Sequence, residues 1–201
     1  MKVPFRQQAS EYDCGPTSLI NTLCYLFDRK DIPPFVVHQI YKDCLDLDDS
    51  RGTSSRAIQD LGFWLSHYRE DRYAKFAIES EYICGSQVHL RQNSKIIRCI
   101  NSKGAALMIV RSSRNNWHYI IGFRSEGDWL HCYDPSPRSK RFINIDAVQF
   151  VAASGQQEPN LIIRCDWLDK NIEHTKDDDE RKYVFGCAAD RECLLLKRKR
   201  V

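Results

Sequence analysis

Between Asp13 and Phe27 the apolar positions Leu19, Ile20, Leu23, Leu26 and Phe27 recur at three- and four-residue spacing, which predicts an amphipathic helix. Asp13 is a candidate N-cap, and Pro16 falls in the first turn, where its missing N–H costs nothing. Cys14 therefore stands at the helix start. A second helix is expected from Pro34, after a Pro33-Pro34 turn, burying Val37, Ile40, Tyr41, Cys44 and Leu45. A third is expected to follow Thr53 or Ser54 as cap and to run through Ile58, Leu61 and Leu65.

The texture then turns to β. Residues 75–83 are strand-like, 90–101 suit one more helix, and 105–111 read as a buried strand. Strands over 117–123 and 129–133 flank Ser125-Glu126-Gly127, a three-residue hairpin loop with glycine at the left-handed position. Further strands are expected over 141–145 and 160–167. The sum is an α+β domain, 1–168, with helices at the front packed on an antiparallel sheet. Residues 169–201 are a charged linker, including Asp177-Asp178-Asp179-Glu180, and a C-terminal tail that either docks as a hairpin or hangs loose.

Composition narrows the class. At 201 residues the chain is long enough to bury a core without metal or disulfide. Thirty basic against 27 acidic side chains leave a net charge of +3, far from the basic stripe of a nucleic-acid binder, and the four basic residues at 197–200 read as a solvated end. Nine cysteines, an odd number scattered through apolar runs, fit a reducing compartment. No stretch resembles a signal peptide, and the longest apolar run, 105–110, falls far short of the roughly 20 residues that span a bilayer. A cytoplasmic protein is expected, with no membrane span and no nucleic-acid partner. There is no Cys-x-x-Cys, and neither Cys84 with His89 nor His131 with Cys132 completes a four-ligand zinc set, so no metal and no cofactor are expected.

The chemistry centres on Cys14. At the first turn of a helix, unpaired N–H groups and the macrodipole stabilise a thiolate, whereas cysteines buried in mid-helix or mid-strand are held as inert thiols. A cysteine nucleophile needs a base, and the base an orienting acceptor on its other ring nitrogen. If the hairpin loop is Ser125-Glu126-Gly127, Arg124 faces Asp128 and His118 faces Asp134, within hydrogen-bonding reach. The same parity puts Trp117, Tyr119, Ile121 and Phe123 on the opposite, core-facing side. His38 and His67 lie in expected helices, His174 in the charged linker and His89 in a loop, and His131 has the wrong parity for Asp134. Acyl transfer also needs an oxyanion donor, for which Gln8 and Gln7 compete without spacing deciding between them.

Gln8, Asp13-Cys14-Gly15-Pro16, His118 and Asp134-Pro135 together resemble the peptidase C39 family and its C39-like relatives, cysteine peptidases of papain-like fold. The resemblance spans roughly residues 3–168. It implies Cys14 as nucleophile, His118 as general base, Asp134 as its orienter and Gln8, rather than Gln7, as oxyanion donor. Many members of that family cleave leader peptides after a double glycine, which implies a peptide or protein substrate. Residues between about 66 and 103 look like added length, the tail after Leu168 has no counterpart, and this chain carries no membrane exporter, to which many leader-cleaving members are fused.

The expected activity is hydrolysis of a peptide bond through a Cys-His-Asp triad. An acyltransferase or transpeptidase on the same triad shares every step to the thioester, and a non-catalytic peptide-binding module is the alternative outside enzymes. With the nucleophile so near Met1, control by cleavage of an N-terminal pro-segment is not expected.

Overall fold

The computed structural model describes residues 2–46, 52–113, 116–137, 145–153, 155–171 and 182–199. Three helices open the chain: α1 (Cys14–Leu26), α2 (Pro34–Cys44) and α3 (Ser55–His67). Then follow β1 (Ile78–Cys84), α4 (Lys95–Asn101), β2 (Ala105–Ser113), β3 (Asn116–Glu126), β4 (Trp129–Tyr133), β5 (Val148–Phe150), β6 (Leu161–Arg164), α5 (Cys165–Leu168) and β7 (Glu192–Arg198). No helix among the described residues is long and apolar enough to cross a membrane.

All strands join one seven-stranded sheet in the order β1-β7-β2-β3-β4-β6-β5, antiparallel throughout. Helices and antiparallel sheet are thus mixed as expected, but the layers differ from a simple front and back. One face packs Leu107, Tyr119, Ile121 and Phe123 against Leu19, Leu23, Ile58 and Leu61 of α1 and α3. The other packs Met108, Ile120 and Leu130 against Ile96 and Ile100 of α4, Leu168 of α5 and Tyr183 and Phe185. Both faces are dry, so alternation along β3 sorts residues between two cores rather than between core and water.

Helix α1 departs from the amphipathic pattern: every residue from Cys14 to Leu26 except Tyr25 is buried. Its polar residues are satisfied locally. Ser18 donates to Tyr119 O (2.9 Å), Thr22 to Ser18 O (2.9 Å), and the Asn21 side chain bonds both the N–H and the C=O of Arg6 (2.8 and 2.9 Å). That last pair ties the N-terminal segment along the helix and closes the side that water would otherwise reach. In α2 the buried stripe is Val36, Ile40 and Cys44, which leaves Val37 half-buried and Tyr41 exposed. Ser54 is the cap of α3, accepting from Ala57 N (3.1 Å).

Other expected boundaries shift. The strand expected over 75–83 is β1 at 78–84, and the helix over 90–101 begins only at Lys95, capped by Ser94. The strand over 160–167 ends at Arg164 and turns into α5, while the strand expected over 141–145 lies, but for Ile145, outside the described residues.

Two further corrections shape the site. The β3–β4 loop has two residues, not three: Glu126 pairs with Trp129 across Gly127-Asp128, with Gly127 at φ 57°. A two-residue turn with glycine first matches the twist of paired strands. The register is recovered at a β-bulge, where Gly122 faces Cys132 but Arg124 faces His131. The second correction concerns the tail: β7 lies between β1 and β2, paired with both. The boundary expected after Leu168 therefore runs through the middle of the sheet.

Candidate active site

Cys14 is the first residue of α1 and 9% exposed. Asp13, expected as a side-chain cap, makes no such bond to the helix start. Its buried carboxylate turns back instead, accepting from Ala9 N (3.0 Å), Ser10 N (2.8 Å) and Ser10 Oγ (3.0 Å). The residue that opens the helix thus also shapes the loop arriving from Gln8. Following the cysteine, Gly15 lies so close to residue 53 that an added Cβ would sit 2.2 Å from Thr53 Oγ1. Only a residue without a side chain lets the 52–54 loop approach the nucleophile this closely.

His118 lies on β3, where its backbone faces Val110, and is 7% exposed. Its Nε2 meets Asp134 Oδ1 at 2.6 Å. The bulge means that His118 and Asp134 are not directly opposed as the three-residue loop required. Continuing the Ile121–Tyr133 pairing by one step would set Ile120 opposite Asp134, so His118 is its diagonal neighbour on the same face. The shorter loop and the bulge compensate in parity, and the contact forms by another register than the one expected.

Cys14 also acts on the His118 ring, near enough to raise its pKa. With Nε2 engaged by Asp134, the ring nitrogen left for the sulfur is Nδ1. Burial lowers the imidazole pKa, but Asp134 and Cys14 outweigh it and raise the pKa to about 9. A raised pKa favours the protonated ring, the partner a thiolate requires.

Asp134 follows β4 and is 1% exposed. Its Oδ1 also accepts from Ser136 N (2.8 Å), and its Oδ2 accepts from the Tyr183 hydroxyl. The Asn160 side chain brackets its backbone, accepting from Asp134 N (2.8 Å) and donating to Asp134 O (2.7 Å). Neither Asn160 nor Tyr183 was singled out in the sequence. Each is distant along the chain and carries no local motif; only the strand order brings them to the carboxylate.

Gln8 is half-buried, whereas Gln7 is exposed. The Gln8 N–H donates to Pro135 O (2.8 Å), which fastens this residue beside Asp134. Its Nε2 donates to Ser10 O (2.8 Å), and its Oε1 is buried with no hydrogen-bond partner among the described residues. One N–H of the side-chain amide is thereby spent, and the second makes no hydrogen bond among the described residues.

The other candidates stand in different surroundings. Burial raises the thiols of Cys24, Cys44, Cys132 and Cys193, and those of Cys99 and Cys165 to about 11. His131 contacts Arg124 (3.0 Å) and Glu126 (3.4 Å), both in β3 beside it. His67 Nδ1 contacts Phe63 O within its own helix (2.8 Å), His38 is exposed on α2, and His174 lies outside the described residues. A cavity of about 660 Å³ beside β1, lined by Arg69, Glu79, Lys95, Arg98 and Lys197 among others, includes none of Gln8, Cys14, His118 and Asp134. Among the described residues no group of three or more His, Cys, Asp or Glu is placed to hold a metal.

No family model matches this chain, and no curated protein matches it. Among solved structures, a double glycine motif protease from an AMS/PCAT transporter, in complex with the leader peptide, is similar at 15% identity and a TM-score of 0.42. The match covers 98% of this chain and 93% of that one.

What the arrangement can do follows from its own atoms. A sulfur at a helix start lies near an imidazole that a buried carboxylate holds, and the Gln8 backbone is fastened to the residue after that carboxylate. Such a set can hold a thiolate–imidazolium pair and offer donors to an oxyanion.

Proposed function

We propose that this protein is a cysteine peptidase. The observation that carries the reading is the imidazole: His118 Nε2 lies 2.6 Å from Asp134, and Cys14 at the start of α1 is near enough to the same ring to raise its pKa. In this reading the Cys14 thiolate attacks a peptide carbonyl, forming a C–S bond. The developing oxyanion accepts from the Gln8 amide and the Cys14 backbone N–H. The His118 imidazolium gives its proton to the leaving amine as the C–N bond breaks, and Asp134 keeps the ring oriented throughout. A water, deprotonated by the now neutral imidazole, then cleaves the thioester and releases an acid. The resemblance of the Gln8, Asp13-Cys14-Gly15-Pro16 and His118…Asp134 set makes peptides with a leader ending in double glycine the first substrates to test.

The test is mass spectrometry of peptide products from the wild type and a Gln8→Ala variant. Hydrolysis yields a free carboxylate even with added amine; an amide of that amine would mark an acyltransferase instead. Losing one oxyanion donor typically costs on the order of 10²–10³ in kcat. Gln8→Ala is expected to lose that much with unchanged thermal unfolding, because the backbone bond to Pro135 persists. A variant as fast as the wild type would remove Gln8 from the mechanism, and no cleavage of any peptide by the wild type would overturn the peptidase reading.

A further inference from the structure

The tail beyond the expected domain boundary does more than fill the sheet. Tyr183 is fully buried, its ring packs edge-on to Phe150 at 5.9 Å, and its hydroxyl donates to Asp134 Oδ2. The carboxylate oxygen on the other side, Oδ1, serves His118 and Ser136 N. Around the imidazole, then, stand Cys14 and Asp134, and behind Asp134 stand Tyr183, Ser136 and Asn160.

The backbone that delivers Tyr183 is held unusually firmly. Its φ is 62°, in the left-handed region that a bulky L-residue occupies only when its surroundings compel it. Tyr183 N donates to Arg111 O (2.7 Å), Arg111 N to Val184 O (3.0 Å), and Phe185 N to Leu168 O (2.8 Å). Downstream, the buried Arg191 guanidinium clamps the segment. It donates to Gly186 O (3.0 Å), Val88 O (2.9 Å), Asp169 Oδ1 (2.7 Å) and Asp169 O (2.8 Å).

We infer that Tyr183 is a positioning residue of the catalytic site: its hydroxyl fixes Asp134 and tunes how strongly that carboxylate holds the His118 proton. This rests on the peptidase reading and adds a fourth side chain, from the last strand's approach, to the Cys14-His118-Asp134 set. A hydrogen bond donated to a carboxylate withdraws charge from it, so a stronger donor at 183 weakens the pull of Asp134 on the His118 proton, and a missing donor strengthens it. Because Ser136 N still pins Oδ1, the carboxylate stays on His118 when the phenol hydroxyl is removed.

The sign of this tuning makes it testable against a purely structural role. NMR titration of the His118 ring is expected to show its pKa rising in Tyr183→Phe and falling when 3-fluorotyrosine, a stronger donor of nearly the same shape, occupies position 183. Turnover of Tyr183→Phe is expected to fall roughly 10- to 100-fold in kcat, with KM little changed. The fluorinated protein keeps the ring and the hydrogen bond, so it answers the question if Tyr183→Phe fails to fold. A His118 titration that moves with neither substitution, or moves in the same direction with both, overturns the proposal. The titration needs no substrate, so a wild type without peptidase activity would count against the function above and leave this readout intact.

Discussion

Cys14→Ala is expected to cut peptide hydrolysis to a small residual rate while leaving the fold unchanged. The sulfur is the one group for which the site offers no substitute. The six raised thiols, Cys24, Cys44, Cys99, Cys132, Cys165 and Cys193, are protonated at neutral pH and cannot take over. Oxyanion donors and binding alone leave a residual rate in comparable triads, about 10³–10⁴ over water, and the parent rate is lost. Structurally the change is mild: alanine is a better helix former than cysteine, and the removed atom leaves a gap at a helix start rather than in the middle of the core. Circular dichroism and thermal melting alongside a peptide-cleavage assay check both halves. Retention of the wild-type rate in Cys14→Ala would exclude the mechanism.

Ending the chain at Leu168 is expected to prevent folding. This cut removes β7, and with it the pairing partner of both β1 and β2. It also strips Tyr183, Phe185, Leu194, Leu195 and Leu196 from the two cores, along with the buried Val184. At about 1.5–3 kcal/mol for each buried side chain, their loss is comparable to or larger than a typical net stability of about 5–15 kcal/mol. The ion pair between the buried Arg191 and the half-buried Asp169 would be broken as well. The expected result is an insoluble product, or a soluble one without a cooperative thermal transition. A 1–168 chain that unfolds cooperatively near the wild-type temperature would show that β7 is dispensable.

Why the tail was unreadable from the sequence is a matter of distance. Its leucine run has strand character, but a strand that returns to pair between β1 and β2 is set by topology, and nothing in residues 192–198 names their neighbours. Helix α1 shows the converse. Its placement, and that of Cys14 at its start, follow from local spacing and from Pro16, while its burial on all sides does not, because Ser18, Thr22 and Asn21 look like a solvent face until their backbone partners are known.

The hairpin lies between these cases. Strand positions and the His118–Asp134 proximity were both legible, yet the register behind that proximity was not. A two-residue turn plus a bulge and a three-residue turn without one keep the same parity, and parity is all that an alternating pattern records. Gln8 could be separated from Gln7 only by resemblance; in the fold the two differ because Gln8 N–H reaches Pro135 O, a bond between segments far apart in sequence. Tyr183 and Asn160 carried no signal at all for the same reason.

Alkylation by iodoacetamide across about pH 5 to 10, read cysteine by cysteine by peptide mapping, measures directly whether Cys14 shares its proton with His118. An unperturbed thiol reacts appreciably only as pH nears about 8.5. Cys14 is expected to be alkylated ahead of Cys24, Cys44, Cys99, Cys132, Cys165 and Cys193, whose thiols burial raises. A change in its rate is expected near pH 9, where the His118 imidazolium loses its proton. If Cys14 reacts no sooner than an ordinary thiol and shows no inflection near 9, no thiolate–imidazolium pair exists there and the proposed mechanism is wrong.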